Sequence, residues 1–146
     1  KQTRSRLDEL TQGSFQEVLD DPGVGDVERV ERIVFCSGKV AWEAMAERDK
    51  REFPAAIVRI EQLYPLPTDQ MLAVLKRYPN ARELVWLQEE PENMGAWTFV
   101  ESRTWRVKEQ GYDLRHVARI ESGSPATGSK VIHDQEFADL MDEVFG

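Results

Sequence analysis

Ser37-Gly38-Lys39, just after Cys36, has the residue types of an anion site. Glycine lets a backbone approach a ligand closely, a helix starting there offers unpaired N–H groups, and lysine adds charge. The same residues also suit a plain strand-to-helix turn, with Ser37 as the cap and Lys39 in solvent. The Gly-x4-Gly-Lys-Ser/Thr spacing of a P-loop is absent. A second polar tip, Gln88-Glu89-Glu90, ends the apolar run Leu84-Val85-Trp86-Leu87, and a third lies at Arg59-Ile60-Glu61-Gln62. Neighbouring carboxylates on a strand point in different directions, so Glu89 and Glu90 do not form a shared acid/base pair. One is expected to pair locally and the other to face solvent.

The remaining chemistry-bearing residues point away from catalysis. Cys36 closes an apolar run and lacks a Cys/His partner pattern, so it reads as a small buried hydrophobe. His116 and His133 have no Cys, His or acid at ligand spacing, which predicts packing or capping roles and no metal site. The tryptophans at 42, 86, 97 and 105 fit packing better than base stacking. Ser122 to Lys130 reads as an exposed loop, with closure over a phosphate or a neighbouring subunit as the alternative.

These tips need elements to hold them. Arg32 to Cys36 is a continuous apolar run, the mark of a strand covered on both faces. A helix from Lys39 to Arg51 follows, with Val40, Ala44 and Met45 as its apolar stripe. Ala55 to Ile60 is the second strand. Thr68 is placed to N-cap a helix bearing Met71, Leu72, Leu75 and Tyr78. The third strand is Leu84 to Leu87. One helix then starts near Asn93 and carries Met94, Trp97, Val100 and Trp105. Arg115 to Ile120 is the fourth strand, and a last helix begins near Asp134 with Phe137, Leu140, Met141 and Val144. This alternation predicts an α/β fold with a mainly parallel sheet between helical layers. Ligands of such sheets sit beyond the carboxyl ends of the strands, where the three polar tips fall. Residues 1–31 form an N-terminal arm, in which Leu7, Leu10, Phe15, Val18 and Leu19 suit at most two short helical turns, and residues 32–146 form the domain.

Composition narrows the class. With 19 Lys+Arg against 27 Asp+Glu, the net charge of −8 argues against nucleic acid or an anionic membrane as partner. No apolar stretch approaches a bilayer span, and no secretory signal is visible. The single cysteine fits a reducing compartment. The first residues, KQTRSRLDEL, read as the continuation of something longer.

Four motifs in order carry a resemblance: Phe35-Cys36-Ser37-Gly38-Lys39-Val40; Ala56 to Pro65 (AIVRIEQLYP); Trp86 to Trp97 (WLQEEPENMGAW); and Ser124-Pro125-Ala126-Thr127-Gly128-Ser129. Together with the lead-in Leu7 to Phe15, the chain resembles the C-terminal domain of the E1 component of the 2-oxoglutarate dehydrogenase complex, over nearly its whole length. The resemblance implies a transketolase-type three-layer α/β/α sandwich, mostly parallel with one antiparallel strand. It also implies a parent enzyme that decarboxylates 2-oxoglutarate with thiamin diphosphate and magnesium and passes the succinyl group to the lipoyl arm of E2. Both cofactors are then held by preceding domains. By the same resemblance this domain is expected to carry no catalytic residue, metal or cofactor, and to stabilise a homodimer. The implied location is cytoplasmic in a bacterium and the mitochondrial matrix in a eukaryote. Some relatives of this kind bind acetyl-CoA or a nucleotide as effector, and the positions matching such a site are Ser37, Gly38, Lys39 and Gln88.

Overall fold

The computed structural model describes residues 7–146. A short helix α1 (Leu7–Thr11) and a two-residue strand β1 (Val18–Leu19) precede the alternating part. That part runs β2 (Arg32–Cys36), α2 (Val40–Arg51), β3 (Ala55–Ile60), α3 (Thr68–Arg77), β4 (Glu83–Pro91), α4 (Trp97–Glu101), α5 (Trp105–Glu109), β5 (Leu114–Arg119) and α6 (Lys130–Phe145). The sheet order is β1-β3-β2-β4-β5, with β1 antiparallel and the rest parallel. The expected three-layer α/β/α sandwich with one antiparallel strand is thus the architecture of the chain.

The period-two alternation of each strand builds the two cores. Ile33 and Phe35, Val58 and Ile60, and Leu84 and Trp86 face α3, α4 and α5, where Met71, Leu75, Trp97 and Val100 meet them. Val34 and Cys36, Ile57, and Val85 and Leu87 face α2 and α6, against Ala41, Ala44, Leu140 and Met141. Strands loaded on both faces explain why the sequence reads as unbroken apolar runs.

Val18 and Leu19 are strand, not helical turns. Their register is Val18 with Ile60 and Leu19 with Arg59, so the arm supplies the antiparallel edge. Beyond that pair the ladder is continued by a side chain. Asp21 is buried, and its carboxylate accepts from the backbone N–H of Ile57 at 2.7 Å and of Gly23 at 2.8 Å. The guanidinium of Arg48, buried on α2, pairs with the same carboxylate and also donates to the carbonyl of Ala55. A Cβ on Gly23 would lie 2.7 Å from an Arg48 nitrogen, so glycine here makes room for the ion pair.

Several helix boundaries differ from the sequence expectation. Thr68 is the first helical residue and makes no side-chain cap; Pro67 holds the N-cap position. The single helix expected from Asn93 is two short ones, α4 and α5. Thr104, fully buried between them, turns its hydroxyl back to the carbonyl of Glu101 at 3.1 Å, and such back-bonding competes with helix continuation. The last helix starts at Lys130, four residues before Asp134. Its first turn is closed by Lys130 bonding Asp134 at 2.5 Å, an i,i+4 pair. His133 therefore lies inside α6.

Candidate functional site: the carboxyl-end rim of the sheet

The turn after β2 is built by Gly38, whose φ of +77° is costly for any residue with a Cβ. An added Cβ there would meet nothing within 4 Å, so the constraint is conformation and not space. The N-cap of α2 is Lys39, not Ser37, and its side chain makes no capping hydrogen bond. The Lys39 ammonium donates to Glu43 at 2.5 Å and lies 3.5 Å from Glu89. The hydrogen bond to Glu43 raises its pKa above the ordinary lysine value, opposed by partial desolvation and assisted by Glu89. Glu89 is thus the acid that pairs locally, and Glu90 is the exposed one.

Gln88 goes the other way. On β4 it shares the face of Trp86, whereas Glu89 shares the face of Leu87; one residue of offset sends them to opposite sides of the sheet. Gln88 is 3% exposed. Its Oε1 accepts from Trp86 Nε1 at 3.1 Å and from the backbone N–H of Trp97 at 2.9 Å. Its Nε2 donates to the carbonyls of Pro91 at 3.0 Å and Glu90 at 3.3 Å. Two lone pairs and two N–H donors are the full capacity of an amide. The side chain therefore caps the first turn of α4 and closes the turn that leads to it. The structure brings Lys39 to Glu43 and Glu89, and does not bring Gln88 to Lys39.

The other side of the rim is stitched by loops. Asn93, read from sequence as a possible helix cap, instead bonds reciprocally with the backbone of Ser122: Nδ2 donates to its carbonyl at 3.0 Å and Oδ1 accepts from its N–H at 3.2 Å. The His116 ring stacks on the Trp97 indole, centroids 4.4 Å apart at 17°, with Nε2 3.3 Å from Glu92. Arg119, which the sequence reading passed over, donates to Nδ1 of His133 at 2.9 Å. Its Nε stands 3.3 Å from Glu136, an ion pair bent out of hydrogen-bond geometry. A cleft of about 160 Å³ runs between these groups and the Ser122–Thr127 loop. One guanidinium against the two carboxylates of Glu121 and Glu136 in its wall disfavours phosphate.

Cys36 is fully buried, and desolvation pushes its thiol up to about 12, against a smaller opposing effect of Arg59. A thiol so held is not a nucleophile at neutral pH. Among the described residues no group of three or more His, Cys, Asp or Glu is placed to hold a metal ion. At the rim Lys39 is paired with Glu43 and Glu89, and Gln88 is held by backbone groups and Trp86, on a fold of the transketolase C-terminal class.

The comparisons with known proteins agree with this class. A family model described as 2-oxoglutarate dehydrogenase C-terminal matches residues 4–145, and the chain belongs to that family. It is 43% identical over 143 residues to the 2-oxoglutarate dehydrogenase E1 component of an Exiguobacterium species, covering 95% of this chain and 15% of that protein. The E1 component of Cupriavidus necator is 38% identical over 146 residues, 99% of this chain and 15% of the other. The mitochondrial 2-oxoglutarate dehydrogenase of Caenorhabditis briggsae is 39% identical over 149 residues, 98% and 14% respectively. The chain spans about 15% of the length of the relatives it matches.

Proposed function

We propose that this chain is the C-terminal structural domain of a 2-oxoglutarate dehydrogenase E1, whose parent decarboxylates 2-oxoglutarate and transfers the succinyl group to lipoyl-bearing E2 in the tricarboxylic acid cycle. The observation that carries this reading is the family match over residues 4–145, joined to a rim whose Lys39 and Gln88 are already engaged within the fold. In this reading thiamin diphosphate and magnesium belong to other domains of the parent, and this domain supports a homodimer. Residues 1–31 act as the arm entering the domain of residues 32–146. The setting is the bacterial cytoplasm or the mitochondrial matrix; no described helix is long and apolar enough to cross a membrane.

Activity of the full-length protein tests the reading: it should release carbon dioxide from 2-oxoglutarate and succinylate a lipoyl domain, while residues 1–146 alone should do neither. Inactivity of the full-length protein on 2-oxoglutarate overturns it. The effector role of Ser37, Gly38, Lys39 and Gln88 has its own test, calorimetric titration of acetyl-CoA and AMP into the full-length protein and its Lys39→Ala variant. With Lys39 matched by Glu43 and Glu89, and Gln88 turned inward, the expected result is equal heats in both proteins. Saturable binding lost in the variant would restore the effector site.

A further inference from the structure

Most of the large apolar side chains lie in the two cores, yet three adjacent residues are placed as if for contact. Tyr64 is 78% exposed, in the turn between β3 and α3. Its ring meets Phe99 of α4 edge-on, centroids 6.3 Å apart. The Arg103 guanidinium, exposed on the same surface, lies 3.7 Å from the centre of the half-buried Phe99 ring and donates to the carbonyl of Phe99 at 3.2 Å. Tyrosine and arginine on a fixed base are the types that dominate binding hot spots, because they bury much area with little loss of freedom.

The base is fixed by the arm. The Gln62 amide donates to Glu17 at 3.0 Å and to the Pro65 carbonyl at 3.0 Å, while the Glu17 carbonyl accepts from the N–H groups of Glu61 at 2.9 Å and Gln62 at 3.2 Å. The polypeptide thus enters the domain within a few residues of Tyr64. On that entering segment, two residues before Glu17, Phe15 is 68% exposed. Relatives carry most of their length outside the part matched here. A domain tethered at this point has a high effective concentration over Tyr64, an advantage that no untethered partner shares.

We infer that Tyr64, Phe99 and Arg103 form the seat for the domain that precedes residue 7 in the parent chain. This rests on the E1 reading and names the partner that the turn between β3 and α3 contacts. The occupant is intramolecular; a second copy and E2 are the competing partners that the test separates.

The test places the photoreactive residue p-benzoylphenylalanine at Tyr64 of the full-length protein and resolves the irradiated product on a denaturing gel. The expected product has the mass of a single chain, with an internal crosslink mapping to residues upstream of Leu7. Arg103→Glu in the same protein should reduce the yield several-fold. A product of doubled mass overturns the inference in favour of a second copy, and a product with added E2 overturns it in favour of E2. No crosslink also overturns it. Turnover of 2-oxoglutarate is measured on the same preparation before irradiation. Activity without the internal crosslink refutes this inference alone, whereas the crosslink without activity refutes the E1 reading alone.

Discussion

At Gln88, one side chain answers the backbone at the end of β4, the first turn of α4 and an indole. Removing it as Gln88→Ala leaves the Trp86 and Trp97 N–H groups buried without an acceptor, costing on the order of 1–3 kcal/mol for each. Gln88→Glu keeps the acceptor but loses both donors to Glu90 and Pro91, so it too should destabilise despite its matched shape. Urea unfolding midpoints would check both; an unchanged midpoint in Gln88→Ala would refute the capping role. Asp21 is a second such residue. Asp21→Ala leaves the buried Ile57 N–H without its acceptor and the Arg48 guanidinium with Asp49 and the Ala55 carbonyl alone, so it should cost on the order of 1–3 kcal/mol. Cys36 predicts a negative result: with its thiol pushed up to about 12 and no exposure, alkylation at pH 8 should proceed only after urea unfolding.

Elements meet at the rim through close fits that forbid small changes. A Cβ at Gly95 would come 2.2 Å from the Gln88 amide nitrogen, so Gly95→Ala must expel that side chain or shift the turn before α4. The expected cost is about 1–3 kcal/mol. Because both substitutions disrupt one network, Gly95→Ala and Gln88→Ala should combine to less than the sum of their separate costs. A double-mutant cycle by chemical denaturation measures this, and strict additivity would contradict the proposed contact. Gly38→Ala tests a different cause, the left-handed turn into α2. With open space around it, its penalty should be the backbone cost alone, roughly 1–2 kcal/mol.

For the whole molecule, the arm and the loops bind the sheet's ends and leave the Tyr64 face outward. Lys39 belongs to this scale because it joins α2 to β4 through Glu89 rather than holding either element in place. It is solvent-exposed, and such pairs contribute about 0–1 kcal/mol, so Lys39→Ala should unfold within that range of the parent sequence. A larger loss, in a thermal or urea melt, would mean that the lysine carries structural weight the geometry does not account for.

The apolar runs of β2 and β3 determined those strands to the residue, since burial on both faces demands unbroken hydrophobicity. The same pattern determined the layers, and the four motifs determined the family. Helix ends were less legible. Thr68, Asn93 and Asp134 are all good caps by type, but a cap is chosen by which backbone groups remain unpaired after packing. β1 was illegible because two residues carry no period, and they become a strand only when β3 offers its edge. The strand tips show the same division. Sequence placed Ser37, Gly38, Lys39 and Gln88 at neighbouring strand ends, and there the one-dimensional reading stopped. Only the pleat decided that Gln88 turns toward Trp97 while Glu89 turns toward Lys39, because a side chain's face is fixed by register within the assembled sheet.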